Sequence, residues 1–409
     1  LIGHGDLIPF DMGGTSTDIS LIAGGEAAIA SDRKLAGQRV GLQSLDIVSI
    51  GAGGGSIARV DAGGVLHVGP ESAGALPGPA CYGRGGTVAT VTDANLVLGY
   101  LDAANFLGGR ATLDAAAAEQ AVDRVAEALG VDRMTAAEGV HRVVNTRMAE
   151  GVRLVSVRRG IDPRRFALLS FGGAAGLHIT EVARQLDLAR VIVPRLAAVL
   201  SAWGMLASDL RYEVARTHIG DASALSADDL RSIYREMEDE GRARLAQTGF
   251  DGPVHVRRSA DMRYGEQIFE IPVDLDGIDW SGADLVQTMA EAFRARHESL
   301  YTYALRDQEA VLVNARVAVI GALPAMPSEP PRAAATPVPP RSHRRVYLGA
   351  WHEVPMFTFD ALAAGQIVTG PAIVESSTTT VLLRAGDRAE ITPLGWLDIA
   401  VSGAAAGVP

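Results

Sequence analysis

The chain has 409 residues, 48% hydrophobic and 21% charged, which fits a globular protein of two or three domains and excludes a disordered one. With 37 Lys and Arg against 48 Asp and Glu the net charge is −11, which argues against a nucleic-acid-binding surface. A single cysteine excludes an internal disulfide framework and a cysteine-only metal site, no apolar run reaches the roughly 18 residues of a membrane span, and no signal peptide is read, so the expected location is the cytoplasm.

The apolar runs Leu7-Ile8-Pro9-Phe10 and Ile19 to Ala23 predict two strands joined by a tight turn. Between them lies Asp11-Met12-Gly13-Gly14-Thr15-Ser16-Thr17-Asp18, with two carboxylates, two adjacent glycines and three hydroxyls. The glycines let the backbone turn sharply and bring its N–H groups to an anion. The hydroxyls can donate to phosphate oxygens, and an aspartate can hold Mg²⁺ through water. Gly13, Gly14, Thr15, Ser16 and Thr17 are therefore candidate phosphate contacts, and Asp11 and Asp18 are candidate catalytic and Mg²⁺-binding groups. The lysine of a P-loop and the spacing of a dinucleotide-binding turn are both missing. The pattern is of the kind that actin-like, sugar-kinase and Hsp70-like ATPases use on nucleotide phosphates; an ordinary glycine-rich turn is the alternative.

Ile47 to Asp61 reads as strand, glycine loop, strand. Its glycines, Gly53 and Gly54 among them, either close over phosphates or let two strands cross tightly. Val68 to Gly86 is read as a long ordered site loop, in which Cys81 is a buried packing residue rather than a nucleophile. Thr92-Asp93-Ala94-Asn95 precedes a helix, so Thr92 or Asp93 caps it, or Asp93 stands near the ligand as a catalytic group.

Helices are predicted over Leu113 to Leu129, stopped by Gly130, and over Thr135 to Arg159, stopped by Gly160, the second with the stripe Val140, Val144, Met148, Val152 and Val155. The strand Phe166 to Phe171 leads into Gly172-Gly173-Ala174-Ala175-Gly176 and a helix from Leu177. Gly172, Gly173 and Ala174 let a base or ribose lie on bare backbone beside a helix N-terminus, or serve close strand–helix packing. His178 is placed to reach such a site, and His141 is read as structural. A strand at Val191 to Pro194 completes an α/β domain, residues 1–210. Residues 211–323 read as an α+β region, with helices over Ser226–Thr248 and Gly282–Leu300 and strands over Val254–Tyr264, Gln267–Val273 and Ala310–Gly321. Residues 324–341 read as a Pro-rich linker and 342–409 as a β-rich region.

Taken together, Phe10 to Asp18, Ile50 to Ile57, Val68 to Gly74, Pro77 to Gly83, Thr92 to Asn95, Gly160 to Pro163, Phe171 to Ala174, Arg263-Tyr264, Gly370 to Glu375 and Thr378 to Thr380 resemble the hydantoinase A / 5-oxoprolinase family, which includes acetone and acetophenone carboxylase subunits. The resemblance implies an actin-like ATPase core with C-terminal additions. It implies Mg²⁺ and ATP, used to phosphorylate the carbonyl oxygen of a cyclic amide or a ketone. It also implies a B-type partner subunit, hence a hetero-oligomer acting on a small molecule, with no nucleic acid and no membrane.

Two departures bear on that expectation. Family members carry an earlier segment with a first Asp-x-Gly-Gly-Thr loop, which this chain lacks, so a fragment, a truncated product or one half of a split protein is expected. Ala174-Ala175-Gly176, Arg263-Tyr-Gly-Glu-Gln267, Leu300-Tyr-Thr-Tyr303 and Val313-Asn-Ala-Arg316 lean toward the carboxylase branch. A cyclic-amide hydrolase subunit is the leading expectation, a ketone carboxylase subunit the rival, and a non-catalytic scaffold the third reading.

Overall fold

The strand Leu7–Met12 is sided: Ile8, Phe10 and Met12 are fully buried on one face, while Pro9 and Asp11 on the other are only half-buried. It lies inside a ten-stranded sheet in a computed structural model that describes residues 5–30, 33–35, 38–40, 44–265, 267–326 and 336–403. Two compact units emerge, one from residues 1–202 with 328–409 and one from 203–327.

In the first unit, Thr17–Ile19 folds back antiparallel on Leu7–Met12, and Val48–Ile50 pairs antiparallel on its outer side. On the other side Ala167–Phe171 and then Arg190–Val193 run parallel to Leu7–Met12. Helix Arg133–Val155 packs on Thr17–Ile19 and Val48–Ile50 of this sheet; its N-cap is Asp132 and its buried stripe includes Val140, Val144, Met148, Val152 and Val155. Gly151 lets that helix approach closely, because a Cβ there would stand 2.7 Å from Ile19 and 3.0 Å from Ile50. The helix ends at Val155, short of the expected Arg159. A 3₁₀ turn, Val157–Arg159, follows, and Gly160 closes it with φ +73°.

The C-terminal region does not stand apart. Leu397–Ala400 pairs antiparallel with Arg190–Val193, and Arg388–Ile391 and Ile367–Thr369 extend the same sheet. Four further strands, Ser342–Tyr347, Trp351–Thr358, Ala372–Glu375 and Thr380–Leu383, form a second sheet. Of the expected 324–341 linker, residues 327–335 lie outside the described residues.

The second unit is a four-stranded antiparallel sheet in the order Leu210–Asp221, Ala310–Gly321, Val254–Tyr264, Ile271–Asp274. Helix Ala227–Ala246 packs on it through Leu230, Tyr234, Met237 and Leu245, and its N-terminus carries a Ser226–Asp229 capping box. Helix Leu285–Tyr301 buries Leu285, Met289, Phe293 and His297 at i, i+4 spacing. Among the described residues, no helix is long and apolar enough to cross a membrane.

Candidate functional site

The turn between Leu7–Met12 and Thr17–Ile19 is an open tip. Gly14 and Thr15 are exposed, and Cβ atoms built on Gly13 or Gly14 would meet nothing within 4 Å. The Gly13 N–H bonds Ser16 O at 3.0 Å, while the N–H groups of Gly14, Thr15 and Ser16 make no hydrogen bond among the described residues. Backbone N–H groups left free at an exposed turn are anion-binding equipment.

Asp11 and Asp18 sit directly opposite each other on the paired strands, so both carboxylates share the face away from Phe10. Ser201 Oγ donates to Asp11 at 2.7 Å, and Ser49 Oγ donates to Asp18. Neither serine was legible as a partner, since Ser201 lies 190 residues from Asp11 in sequence. Thr17 corrects its expectation as a phosphate contact. It pairs with Met12 on the buried face, is 0% exposed, and donates to Ala52 O at 2.5 Å.

The other two glycine segments converge on this tip. Gly54 N–H bonds Gly13 O at 3.0 Å, and Gly55 N–H bonds Gly14 O at 2.6 Å. Gly53 N–H bonds Ser56 Oγ at 2.8 Å, and a Cβ on Gly53 would lie 2.7 Å from Gly14. The amides of Gly54 and Gly55 thus brace the turn from behind, and the amide of Gly53 is spent on Ser56 within its own loop, so neither Gly53 nor Gly54 offers its N–H to phosphate. From the other flank Ala174 N–H bonds Met12 O at 3.1 Å. Gly172 has φ +84°, and a Cβ there would lie 2.3 Å from Met12 O and 2.5 Å from Asp11 Oδ1. Gly176 is equally confined, its Cβ position 2.4 Å from Thr380 O. Gly173 is different: its nearest neighbour would be Thr378 O at an ordinary 3.6 Å.

Asp93 is withheld from the site. It is 0% exposed and accepts from the N–H groups of Ala80 (3.2 Å), Cys81 (2.8 Å) and Thr90 (2.9 Å) and from Thr90 Oγ1 (2.8 Å). The N-cap of helix Val91–Val97 is Thr90, with Asp93 completing a capping box; Thr92 Oγ1 instead donates to Gly54 O at 2.8 Å. Cys81 is fully buried, and burial beside Asp93 pushes its thiol up, which suits packing and not nucleophilic attack. His178 also turns inward. It stacks on His141 at 4.5 Å and bonds Asn145 Oδ1 at 2.7 Å and Asn95 at 3.1 Å, and burial drives it down to about 3, helped by the Arg384 charge. Among the described residues no cluster of three or more His, Cys, Asp or Glu is placed to hold a metal.

The geometry that remains is an exposed turn with three free amides and the hydroxyls of Thr15, which meets Ser72 Oγ at 3.4 Å, and Ser16, two facing carboxylates, and a bare glycine backbone alongside. The chain also resembles known proteins. Residues 1–214 match the hydantoinase/oxoprolinase model and residues 219–394 match the hydantoinase/oxoprolinase C-terminal domain model. The caprolactamase subunit alpha of Pseudomonas jessenii is 38% identical over 96% of this chain and 58% of its own length. 5-Oxoprolinase 1 of Arabidopsis thaliana is 32% identical over 98% of this chain and 33% of its own length. A nucleotide-free structure of acetone carboxylase, described as acting in ATP-dependent acetone carboxylation, superposes with a TM-score of 0.86 at 26% identity, over 98% of this chain and 59% of that one. The chain thus spans less than two thirds of each of these proteins. The two family models together cover nearly all of it, and the chain belongs to the hydantoinase/oxoprolinase family.

Proposed function

We propose that this chain binds Mg-ATP at the Asp11–Asp18 turn and serves as the ATP-using part of a multisubunit enzyme that activates a cyclic amide. The observation that carries the reading is the turn itself, with three unbonded N–H groups above two facing carboxylates. Sheet order supports it: three antiparallel strands bearing the turn, followed by two parallel strands, suit the actin-like core that the family resemblance implies.

An amide carbonyl carbon is a weak electrophile because nitrogen donates into it, and the amide nitrogen is a poor leaving group. If the carbonyl oxygen attacks the γ-phosphorus, a new P–O bond forms, the bond to the β-phosphate oxygen breaks, and ADP leaves. A first water then attacks the activated carbon and the C–N bond breaks, opening the ring to an amine and an acyl phosphate; a second water releases phosphate and leaves the carboxylate, and both steps are assigned to a B-type partner subunit. Phosphoryl transfer needs positioning and charge neutralisation more than covalent chemistry. The Gly14, Thr15 and Ser16 amides and the Thr15 and Ser16 hydroxyls would hold phosphate oxygens. Asp11 and Asp18 fit Mg²⁺, which keeps several waters and takes one or two carboxylates together with phosphate oxygens. The ion would neutralise phosphate charge. Ser201 and Ser49 hold the two carboxylates in place.

A ketone carboxylase subunit is the second reading, favoured by the 0.86 TM-score with acetone carboxylase. ADP release by the complex assembled with its partner separates the two. Stimulation by a lactam, a hydantoin or 5-oxoproline alone supports the hydrolase, and stimulation that requires a ketone and bicarbonate supports the carboxylase. ADP release that no substrate of either class stimulates contradicts both.

A further inference from the structure

The stretch from Arg263 to Gln267, which the nucleotide reading leaves unused, borders an open cleft of about 380 Å³ in the second unit. Two isoleucines, Phe269, Tyr301 and Tyr303 line it together with Gln267 and the buried His297. We propose that this cleft binds an uncharged ring compound carrying a hydrogen-bond-accepting oxygen, such as the carbonyl of a ketone or a lactam. Gln267 donates to the oxygen, and Phe269, Tyr301 and Tyr303 supply the faces that meet the ring. The inference goes beyond the nucleotide reading and does not depend on it, since none of these residues belongs to the unit that carries the Asp11–Asp18 turn.

The polar centre of the cleft is fixed by bonds that leave one donor over. Tyr303 O can only accept, so His297 Nδ1 donates to it at 2.9 Å and Nε2 is left to accept. Gln267 Nε2 fills that role at 3.0 Å, while Gln267 Oε1 accepts from the Tyr264 N–H at 3.2 Å and the Gln267 N–H bonds Tyr264 O at 3.0 Å. Tyr264 is itself anchored: its ring stands 4.7 Å from Phe293 and 4.9 Å from His297, and its OH accepts from the Leu305 N–H at 2.9 Å. The carboxamide is therefore oriented. Its oxygen and one N–H are used, and the second N–H has no partner among the described residues, on a side chain that lines the cleft.

The walls are held in place at a cost. Helix Leu285–Tyr301 ends at Thr302, whose φ of +68° a β-branched residue rarely adopts. That turn lets Tyr301 and Tyr303, on either side of it, line one cleft, with ring centres 4.7 Å and 5.1 Å from His297. On the hairpin side, Ile268 is 85% exposed and Phe269 71%, among the most exposed large apolar side chains described. Apolar surface left in water around a fixed donor, in a cleft of this volume, suits a small ligand. Charge selects the kind. Arg263 is spent on the carbonyls of Tyr264 and Gly265, and among the described residues no Lys, Arg, Asp or Glu lines the cleft, so neither an anion nor a cation finds a counter-charge. Aromatic faces alone would accept a cation, but the leftover N–H asks for an acceptor.

The test is a ligand-observed NMR titration of the full chain with four probes: acetophenone, α-methylstyrene (a methylene in place of the oxygen), benzoate and benzyltrimethylammonium. Acetophenone should saturate and bind about fivefold more tightly than α-methylstyrene, the worth of one neutral hydrogen bond, with both ions weaker than acetophenone. Phe269→Ala, at an exposed position, should keep the melting midpoint and weaken acetophenone about tenfold. Gln267→Glu puts an acceptor where the leftover N–H stands and should abolish the preference for acetophenone over α-methylstyrene. The proposal is overturned if acetophenone does not saturate, if it binds Phe269→Ala as tightly as the wild type, or if it binds no better than α-methylstyrene or benzyltrimethylammonium. The nucleotide reading survives each of those results. Failure of the wild type to bind Mg-ATP, with the acetophenone pattern intact, would sink the nucleotide reading alone.

Discussion

Gly172→Ala is the sharpest structural perturbation of the site. Its φ of +84° costs an L residue about 1–2 kcal/mol. Its Cβ would also overlap Met12 O at 2.3 Å and Asp11 Oδ1 at 2.5 Å, both held by the central sheet. Forcing a methyl into well-packed surroundings adds about 1–3 kcal/mol, so a total near 3 kcal/mol follows. For a unit of this size that corresponds to a fall of roughly 5 °C in the unfolding midpoint. Because the overlap falls on Asp11, nucleotide binding should weaken as well, whereas Gly173→Ala should leave the midpoint within about 1 °C. Differential scanning calorimetry of the two variants side by side gives the comparison. A Gly172→Ala protein that melts with the wild type would refute the argument that this loop must press against the Asp11 strand.

Three further outcomes are expected. Asp93→Asn should cost about 2–4 kcal/mol, read by denaturant unfolding, because an amide cannot accept from all four donors now facing the carboxylate; Mg-ATP affinity per folded molecule should not change. The buried His141 and His178 are held neutral in the fold, well below the ordinary value for His141 and at about 3 for His178, but titrate near 6.5 when unfolded. The unfolded chain therefore takes up protons first, so stability is complete above about pH 6.5 and declines toward pH 3, at about 1.4 kcal/mol per pH unit for His178 alone. Unfolding curves between pH 7.5 and 5 should show that slope, and His178→Gln should flatten it. Asp18→Asn, at a half-buried position, should leave the melting midpoint nearly unchanged while reducing substrate-stimulated ADP release by at least a hundredfold.

Much of the chain announces its structure. The stripe from Val140 to Val155 specifies a helix because every member falls on one face, and Gly130 and Gly160 stop their elements by adopting left-handed backbone. Strand Leu210–Asp221 is hidden for the opposite reason. Only Val214 in it is buried, so no apolar alternation marks it. The C-terminal strands look like a separate region because nothing local in Leu397–Ala400 says that its partner lies some 200 residues earlier, at Arg190–Val193.

At the site, the turn's chemistry is legible but its sidedness is not read out fully. Ile19 is buried, and period-two alternation puts Thr17 on that face and Asp18 on the other. The capping box is also written in the sequence as Thr90-x-x-Asp93, three residues apart, and it accounts for Asp93 without a ligand. The cleft beside Gln267 is not legible, because residues 267–271 and 297–303 meet only through the fold.

The most direct test is substrate-stimulated ADP release from Mg-ATP by the complex assembled with its partner subunit, comparing the wild type with Asp11→Asn. The account predicts lactam-stimulated release that falls by at least a hundredfold in the variant, with assembly intact. Release at the wild-type rate from Asp11→Asn would contradict the assignment of this turn as the nucleotide site.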